Sequence, residues 1–513
     1  MKNKNLVLTI DFGTQSVRAL IIDDKGATLA IEKVPYEKPY FSIEPGYAEQ
    51  LPEYYWDKMK IATNALSSKH HELLENISAL GITTFRDSAI LLDDNYKPLR
   101  PMILWLDQRQ AALKKKLPSL KTIAFAVSGM TQTIVLNRKR TTAIWIQENE
   151  PELWAKTKYY VNFSTYIMYK ITGKLVDSVA NQTGHYPINF KKRKWYNASA
   201  LKNIFGIPNN MLCDIVQPGE ILGVISKEVS DETGIPKGLK LYATGTDKGS
   251  ETIGTGCISN DMASISYGTA STIEVSNPKY IEPELFLPSY PAPINNLYQM
   301  EAQVYRGYWM VSWFIKEFAN NETLESNIIE MATEEILNNK MLEISPGSEG
   351  LVLQPYWGPT LKRPFAKGSI VGFSDYHTRH HLYRAIIEGI AFALLEGLKS
   401  IEKQQGKKIK KIRVSGGGSQ SDAICQITAD IFGVPVQRIQ THETASLGTA
   451  VSVFYSSGVF ATIDDAIAAM VHPTQAFIPN MVNNQKYNYL FKNVYSKIYP
   501  NLKNIYKSIK KFN

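Results

Sequence analysis

The sequence predicts an α/β protein built from two related lobes. Strand-like and helix-like segments alternate along most of its 513 residues, an arrangement typical of α/β architecture. A Gly-Thr turn between two short β-rich runs occurs twice, at residues 8–18 and 263–273. A chain of this length exceeds one domain. Because the two turns lie in opposite halves of the chain, we expect each lobe to carry one of them.

The first lobe is predicted to open with strands at residues 6–10, 17–23 and 27–34. A proline-containing loop extends to residue 52, and an apolar-faced helix (54–74) and a buried strand (77–83) follow. Alternation of strands and helices continues to a Gly/Thr-rich segment at residues 242–256, which predicts the domain boundary near residue 254.

The second lobe repeats this plan. We expect strands around residues 262–275, helices at 309–318 and 380–405, and a strand at 412–415 that leads into a glycine turn and another helix. The predicted division is 1–253 for the first lobe, 254–485 for the second and 486–513 for a helical tail.

The tail carries apolar residues at helical spacing, which predicts one packing stripe with a break or kink near Pro500. The stripe consists of Leu490, Val494, Ile498, Leu502, Ile505 and Ile509.

The composition favours a cytoplasmic protein. No apolar run approaches the ~18 residues that a membrane span needs, and the N-terminus lacks the apolar core of a signal peptide. The three cysteines, Cys213, Cys257 and Cys425, have neither metal-ligand spacing nor a disulfide pattern.

The net charge of +9 raises the possibility of nucleic-acid binding. The lysines lie in short dispersed clusters, however, without the aromatic interleaving of a nucleic-acid surface. We therefore expect neither a nucleic-acid nor a membrane partner. A positive surface would still attract anionic nucleotides.

Asp247 is the strongest candidate for chemistry. It follows an apolar strand, lies among glycines and stands where a helix should begin. A helix N-terminus stabilises a carboxylate as an anion, which keeps it available as a base. The alternative is an ordinary N-cap aspartate. Lys248 beside it reaches the same site or points to water.

A second candidate group is Arg86, Asp87 and Trp105. Arg86 and Asp87 follow the strand that begins near Ile77, at the end of a strand where open α/β sheets bind ligands. A donor fork beside an acceptor suits a polyol, and an indole offers a flat wall to a sugar. The alternative is a structural ion pair and a core tryptophan.

Backbone N–H groups and hydroxyls at the two Gly-Thr turns can hold phosphate oxygens without a lysine. A third glycine turn, Gly416-Gly417-Gly418, precedes an amphipathic helix whose N-terminus favours phosphate. Ser421 replaces the last glycine of a dinucleotide fingerprint, and no acidic residue follows at the expected distance, which argues against NAD.

Together these motifs resemble the FGGY carbohydrate kinase family of the actin-like sugar-kinase superfamily. The resemblance runs from residue 6 to about residue 480, in the family's order. It rests on residues 11–18, 86–87 with 105–109, 245–247, 268–271, 368–389, and 416–422 with 443–448.

The resemblance implies two ribonuclease-H-like lobes with a cleft between them, a sugar site mostly in the first lobe and ATP mostly in the second. Asp247 would be the general base and Asp11 would position hydrated Mg²⁺. The implied sugar-binding residues are Arg86, Asp87, Trp105, Asp247 and Lys248. The implied ATP-binding residues are Gly13, Thr14, Gln15, Ser16, Arg18, Gly268, Thr269, Ser312, Gly416, Gly417, Gly418 and Asp422.

The chain departs from the family's subgroups in its sugar segment. Arg86-Asp87 is closer to the Arg-Glu of glycerol kinases than to the Met-His of xylulokinases, but the tyrosine of glycerol kinases falls on Asn137. Thr142 replaces a signature lysine, and Lys248 replaces an amide or small residue. Asp87, one methylene shorter than glutamate, leaves room for a larger substrate.

The sequence therefore predicts ATP-dependent phosphorylation of a primary hydroxyl of a small sugar or polyol, with a xylulose-like pentulose favoured. A glycerol kinase and a non-catalytic sugar- and nucleotide-binding regulator are the alternatives, and a sugar acid is a minor one. The expected partners are sugar and ATP, with a homodimer possible.

Overall fold

The computed structural model describes residues 5–284, 287–360 and 362–512, without the side chains of residues 511 and 512. Its strands, in chain order, are β1 (Leu6–Phe12), β2 (Ser16–Asp23), β3 (Thr28–Pro35), β4 (Glu49–Gln50), β5 (Ile77–Thr84), β6 (Ala89–Leu92), β7 (Met102–Ile103), β8 (Tyr159–Asn162), β9 (Val176–Ser178), β10 (Ile188–Asn189), β11 (Lys194–Trp195), β12 (Asp214–Val216), β13 (Ile221–Val224), β14 (Lys240–Tyr242), β15 (Met262–Tyr267), β16 (Ser271–Asn277), β17 (Tyr290–Pro291), β18 (Tyr298–Val304), β19 (Val352–Gln354), β20 (Ser369–Val371), β21 (Lys411–Ser415), β22 (Val436–Ile439) and β23 (Pro473–Phe477).

The α-helices are α1 (Pro52–Lys69), α2 (His71–Leu74), α3 (Ser119–Val127), α4 (Thr131–Arg140), α5 (Thr142–Asn149), α6 (Pro151–Lys156), α7 (Phe163–Thr172), α8 (Lys227–Thr233), α9 (Asp247–Gly254), α10 (Trp309–Phe318), α11 (Asn320–Ile329), α12 (Thr333–Leu342), α13 (Arg379–Gln405), α14 (Asp422–Phe432), α15 (Thr444–Ser456), α16 (Ile463–Met470), α17 (Met481–Leu490) and α18 (Ser496–Phe512). None of the helices in these described ranges is long and apolar enough to cross a membrane.

The chain divides into two compact units. The first comprises residues Met1–Gly256, Tyr290–Tyr298 and Thr444–Val471, and the second comprises Cys257–Ser289, Gln299–Glu443 and His472–Asn513. The sequence-based division placed all of residues 254–485 in one lobe, whereas the structure places Thr444–Val471 with the first unit. Close packing explains this: a Cβ atom at Gly81 of β5 would lie 2.7 Å from Thr449 Cγ2 and from Val453 Cγ2 of α15.

The main sheet of the first unit has the strand order β13–β14–β5–β1–β2–β3. Strands β14, β5 and β1 run parallel, while β1, β2 and β3 form an antiparallel meander. Strand β1 is buried throughout, as expected for a strand covered on both faces. The sequence predicted this meander, α1 and β5.

The main sheet of the second unit contains the order β18–β16–β15–β21–β22–β23. Strand β15 pairs antiparallel with β16 and parallel with β21, which repeats the pattern of β1 with β2 and β5. Helix α13 has one long buried face in the core of this unit. The mixed α/β class predicted from the sequence is confirmed.

The C-terminal helical segment differs from its predicted form. The irregularity is a π-helical turn at Phe491–Tyr495, and α18 continues through Pro500. A π turn rotates the residues that follow it by about 100°. Tyr495, Tyr499 and Tyr506 are buried with Ile498 of the predicted stripe, and Leu490, Val494 and Leu502 pack against the same core. Ile505 and Ile509, at the end of the stripe, are 55 % and 40 % exposed.

Candidate functional site

Three of the predicted motifs meet at one edge of the first unit's sheet. Asp247 follows β14, Arg86 follows β5 and Gly13 follows β1. These three strands are neighbours and parallel, so their carboxyl ends lie side by side. This is the edge at which open α/β sheets bind ligands.

Asp247 is the first residue of α9, as predicted, but it is not the N-cap. The N-cap is Thr246, whose hydroxyl accepts the N–H of Gly249 at 3.3 Å. The carboxylate of Asp247 accepts the N–H of Lys248 at 2.8 Å and is half-buried. Because another residue caps the helix, the alternative interpretation of Asp247 as a cap does not apply.

The electrostatic environment of Asp247 favours a base. Burial raises the pKa of its carboxyl, and the charges of Lys248 and Arg86 oppose that rise. The Lys248 ammonium also donates to Oε2 of Glu251 at 2.9 Å. The charge of Lys248 therefore acts on Asp247, while its ammonium is hydrogen-bonded to a residue of its own helix.

Three of the predicted sugar-binding residues precede Asp247 in the chain. Arg86 and Asp87 lie in the turn between β5 and β6, and Trp105 lies just after β7. The guanidinium carbon of Arg86 lies 5.6 Å from the ring centre of Tyr290, within cation–π range. The N–H of Trp105 donates to the hydroxyl of Ser88 at 3.1 Å, which connects the two segments. Trp105 is partly buried against the core.

Asp87 pairs with a histidine that the sequence analysis missed. Oδ2 of Asp87 lies 2.8 Å from Nδ1 of His185, and Oδ1 accepts the N–H of His185 at 3.0 Å. Asp87 adopts a left-handed backbone with φ 54°, uncommon for a non-glycine residue. No local motif marks His185, because its partner lies 98 residues earlier. Tyr290 was missed for the same reason: it joins this unit from a distant segment.

The first Gly-Thr turn is compact. Gly13 donates its N–H to the carbonyl of Ser16 at 3.0 Å. Thr14 is half-buried and Gln15 exposed, but Ser16 is buried, so the hydroxyls of this turn differ in their exposure. The guanidinium of Arg18 donates to Oδ2 of Asp11 at 3.1 Å.

The second Gly-Thr turn joins β15 to β16 in the second unit. Ser271 is buried, as Ser16 is in the first turn, whereas Thr269 is exposed and Thr14 is half-buried. The carbonyl of Gly268 accepts the N–H of Tyr308, directly before α10. This contact brings the turn to the start of α10, whose first turn carries the exposed Ser312.

The glycine turn after β21 lies at the same edge of the second unit's sheet as the second Gly-Thr turn, because β21 is the parallel neighbour of β15. Gly416 has φ 79°, and a side chain there would crowd the backbone of Tyr267. A side chain at Gly418 would overlap the Tyr308 ring, so two of the three glycines permit close packing. A Cβ atom at Gly417 would meet no described residue within 4 Å. Asp422 is an exposed residue bound to Arg438 at 2.6 Å.

The segment around Trp105 also contains a structural ion network. The Arg109 guanidinium donates to both carboxylate oxygens of Asp107, at 2.8 Å each, and to Glu49 at 2.7 Å. It lies 3.9 Å from the ring centre of Tyr47 and 4.6 Å from that of Trp145. Arg109 is thus buried in the fold of the segment.

The donor set fits Mg²⁺ held mainly by nucleotide phosphates and water. Within the described ranges, no cluster of three or more His, Cys, Asp or Glu side chains could hold a metal by itself. The carboxylates Asp11 and Asp247 lie at the same sheet edge, and Mg²⁺ in phosphate-transfer sites takes one or two carboxylates besides the phosphates.

Comparison with known proteins agrees with this geometry. The family model "FGGY family of carbohydrate kinases, N-terminal domain" matches residues 6–254, and the C-terminal domain model matches residues 263–457. The chain is 26 % identical to a xylulose kinase of Lactococcus lactis over 99 % of both chains. It is 27 % identical to a glycerol kinase of Thermococcus gammatolerans, covering 86 % of this chain and 87 % of that one.

A solved structure of a ligand-bound xylulose kinase from Lactobacillus acidophilus has the same fold. The TM-score is 0.82 at 22 % identity, over 98 % of this chain and 100 % of the other. The two domain models together match most of the chain. The N-terminal model covers the main sheet of the first unit, and the C-terminal model covers most of the main sheet of the second. The chain therefore belongs to the FGGY family of carbohydrate kinases, enzymes that phosphorylate sugars or polyols with ATP and Mg²⁺.

Proposed function

We propose that this kinase phosphorylates a primary hydroxyl of a small sugar or polyol, most favourably a xylulose-like pentulose, with Asp247 as the general base. The observation that carries the proposal is the position of Asp247. Its half-buried carboxylate stands at the ligand-binding sheet edge, and burial raises its pKa. A raised pKa makes a carboxylate a stronger proton acceptor near neutral pH.

In the proposed reaction, the Asp247 carboxylate takes the proton of the sugar hydroxyl. The oxygen forms a bond to the γ-phosphorus while the bond from that phosphorus to the β–γ bridging oxygen breaks, and ADP leaves. Mg²⁺ neutralises charge on the phosphates when it is bound. Asp11 would hold the hydrated ion.

Arg86 and Trp105, which belong to the proposed sugar site in the first unit, bind and orient the sugar. The Arg86 guanidinium offers several donors to hydroxyl oxygens, and its charge lowers the pKa of Asp247. The Trp105 indole offers an apolar wall to the C–H groups. Precise orientation of this kind accounts for much of the rate in phosphoryl transfer.

The ATP site is proposed for the two turns and the glycine segment. Thr14 and Thr269 would contact phosphates through their hydroxyls and neighbouring N–H groups. Gly13, Gln15, Ser16, Arg18, Gly268 and Ser312 complete the proposed phosphate contacts, and Gly416, Gly417, Gly418 and Asp422 the proposed adenosine contacts. The accessible backbone of Gly417 and the nearby start of α14 support this part of the proposal.

The relatives support two substrates. The match to a xylulose kinase covers 99 % of both chains, which favours a pentulose. A glycerol kinase is the second candidate, supported by Arg86 followed by an acid. The tyrosine of glycerol kinases is replaced by Asn137, whose amide donates to the carbonyl of Thr133 in its own helix.

Sugar-dependent release of ADP from Mg-ATP tests the proposal. The panel holds glycerol, erythritol, D- and L-ketopentoses, pentitols and aldonates. Activity with a ketopentose that falls about 10³-fold in Asp247→Asn, while ATP still binds, would support the proposal. A preference for glycerol would favour the second candidate, and unchanged turnover in Asp247→Asn would refute the assignment of the base.

Arg86→Ala separates sugar binding from chemistry. We expect it to raise the KM for the sugar first, because the guanidinium binds hydroxyls. An unaltered sugar KM would place the pocket elsewhere. If every sugar is silent but calorimetry detects sugar binding, the non-catalytic regulator would replace the kinase proposal.

A cytoplasmic location and a homodimer are further parts of the proposal. Cys213, Cys257 and Cys425 are buried and form no disulfide, which supports a reducing compartment. Cell fractionation and sedimentation would test the two statements.

A further inference from the structure

We propose that His185 determines sugar specificity: its Nε2 atom accepts a hydrogen bond from a substrate hydroxyl other than the one phosphorylated, and Asp87 acts by positioning the ring. This inference rests on the proposed function, because it places the sugar at the sheet edge beside Asp247. It assigns to Asp87 an indirect role, where the family resemblance implied direct contact.

The carboxylate of Asp87 is already engaged at both oxygens. Oδ1 accepts the backbone N–H of His185 at 3.0 Å, and Oδ2 lies 2.8 Å from Nδ1 of the ring. An ionised carboxylate only accepts hydrogen bonds, so Nδ1 must carry the proton. In the neutral ring, Nε2 is then an acceptor.

Nε2 remains available for a ligand. Among residues 5–284, 287–360 and 362–510, no hydrogen-bond partner of this atom occurs, whereas Nδ1 is bound. The imidazole is 22 % exposed, and its ring centre lies 6.1 Å from that of Phe205, edge to face. An accessible nitrogen on an oriented ring is suited to bind a hydroxyl.

The backbone around the pair is built for this contact. Asp87 is held at φ 54°, a left-handed conformation that aspartate adopts more readily than most other residues. Gly184 has φ 96°, and a Cβ atom there would overlap the Asp87 carboxylate. Glycine therefore allows the His185 N–H to approach Oδ1.

The segment that carries His185 is held in place by hydrogen bonds to a buried carboxylate. The buried Asp177 carboxylate accepts hydrogen bonds from Nδ2 of Asn181 at 2.8 Å and from Nε2 of Gln182 at 2.7 Å. Hydroxyls of Ser164 and Thr165 donate to the same carboxylate at 2.6 and 2.9 Å. These bonds fix the residues just before Gly184, which limits the positions open to the imidazole.

The kinetic test compares two substitutions of the same residue. The amide nitrogen of His185→Asn can replace Nδ1 and keep the bond to Asp87, but nothing replaces Nε2. The amide oxygen of His185→Gln can occupy the Nε2 position. With the best sugar of the panel, we expect the sugar KM to rise roughly tenfold in His185→Asn, as for one lost hydrogen bond, and to recover in His185→Gln. The KM for ATP should stay constant, and His71→Asn, an exposed histidine of the same unit, is the matched control.

A double-mutant cycle separates the role of Asp87. If Asp87 acts only through the ring, Asp87→Asn lowers sugar kcat/KM in the wild type and has little effect in His185→Asn. An equal loss in both backgrounds would show that Asp87 contacts the sugar itself and would overturn the proposal. An unchanged sugar KM in His185→Asn would also overturn it.

Nitrogen NMR of the ring needs no turnover. The chain has eight histidines, and the His185→Gln spectrum identifies the resonance. We expect protonated Nδ1, and a shift of Nε2 when a panel sugar is added. A shift without turnover would support His185 while the kinase proposal fails. A turned-over sugar that leaves Nε2 unmoved would overturn the His185 proposal alone, and absence of both effects would overturn both.

Discussion

Asp11 and Arg18 face each other across the β1–β2 hairpin and are joined by a hydrogen bond of 3.1 Å. Asp11 is buried, and the Arg18 side chain is partly exposed. The sequence analysis assigned Arg18 to ATP and Asp11 to the metal. The structure shows a direct link between them, so Arg18 orients the carboxylate that the proposal gives to Mg²⁺.

The first prediction concerns this pair. Partners that orient metal ligands typically contribute ten- to a hundredfold to metal affinity. We therefore expect Arg18→Ala to raise the Mg²⁺ concentration needed for half-maximal activity about tenfold, with a smaller change in Arg18→Lys. Magnesium titration at saturating ATP and sugar measures this. A change in sugar KM with an unaltered Mg²⁺ requirement would contradict it.

The second prediction concerns the stability of Asp247→Asn. Burial raises the pKa of Asp247 in the folded protein. A raised pKa means that this carboxyl favours folding in its protonated form, and its contribution is lost as the pH rises through the folded pKa. At neutral pH the charged carboxylate is therefore a cost, and a neutral asparagine that keeps the bond to the Lys248 N–H removes it.

We expect Asp247→Asn to have a Tm at least equal to that of the wild type at neutral pH, with the difference shrinking in acid. Thermal melts between about pH 5 and 8 test this, with Asp214→Asn, at an exposed position, as control. A clearly lower Tm at neutral pH would show that the carboxylate stabilises the fold.

The third prediction concerns the acid limit of activity. The base must be ionised, so sugar kcat/KM should fall in acid at a pH above the ordinary aspartate value of about 3.9. The charge of Lys248 lowers the pKa of Asp247. Lys248→Met should therefore move the acid limb to higher pH, whereas the exposed-residue control Lys227→Met should not. A limb that does not move would mean that another group controls it.

The fourth prediction concerns the buried Arg109. Its planar guanidinium binds Asp107 at two atoms and contacts the rings of both Tyr47 and Trp145. Lysine reproduces neither feature. We expect Arg109→Lys to lower the free energy of unfolding by about 2–3 kcal/mol, measured by denaturant titration, and Lys114→Arg at the surface to change it little. Stability retained in Arg109→Lys would assign the network a minor role.

The fifth prediction concerns the contact between α9 and α15. A Cβ atom at Gly448 would overlap the carbonyl of Ser250, and one at Gly254 would overlap that of Thr444. Gly448→Ala should force the helices apart, lower stability by about 1–3 kcal/mol and reduce kcat by displacing Asp247 at the start of α9.

The matched control for that substitution is Gly358→Ala, because a Cβ atom at Gly358 would meet none of the described residues within 4 Å. We expect it to leave both Tm and kcat close to wild type. Equal behaviour of the two alanine variants would show that α9 does not depend on this close approach.

Local patterns predicted much of the architecture. Helix α10 occupies the residues that its apolar spacing indicated, and Asp247 begins a helix after a strand as expected. These features depend on neighbours within a few residues, which periodicity and glycine placement encode directly. The resemblance of ordered motifs led to the family that the domain models identify.

Contacts between distant segments could not be predicted in this way. Residues 443–448 resembled an adenosine segment, yet Gly448 packs against α9 of the first unit. The tail contains a π turn that no stripe of apolar residues indicates.

By itself, the sequence determined the α/β class and the family, and it led to the site residues that we propose, because each depends on short segments of the chain. Only the tertiary structure decided the partners of those residues. Asp87 meets His185 across 98 positions, and Arg109 meets Glu49 across 60. Such pairings depend on how strands and helices pack, and that packing is a property of the whole fold.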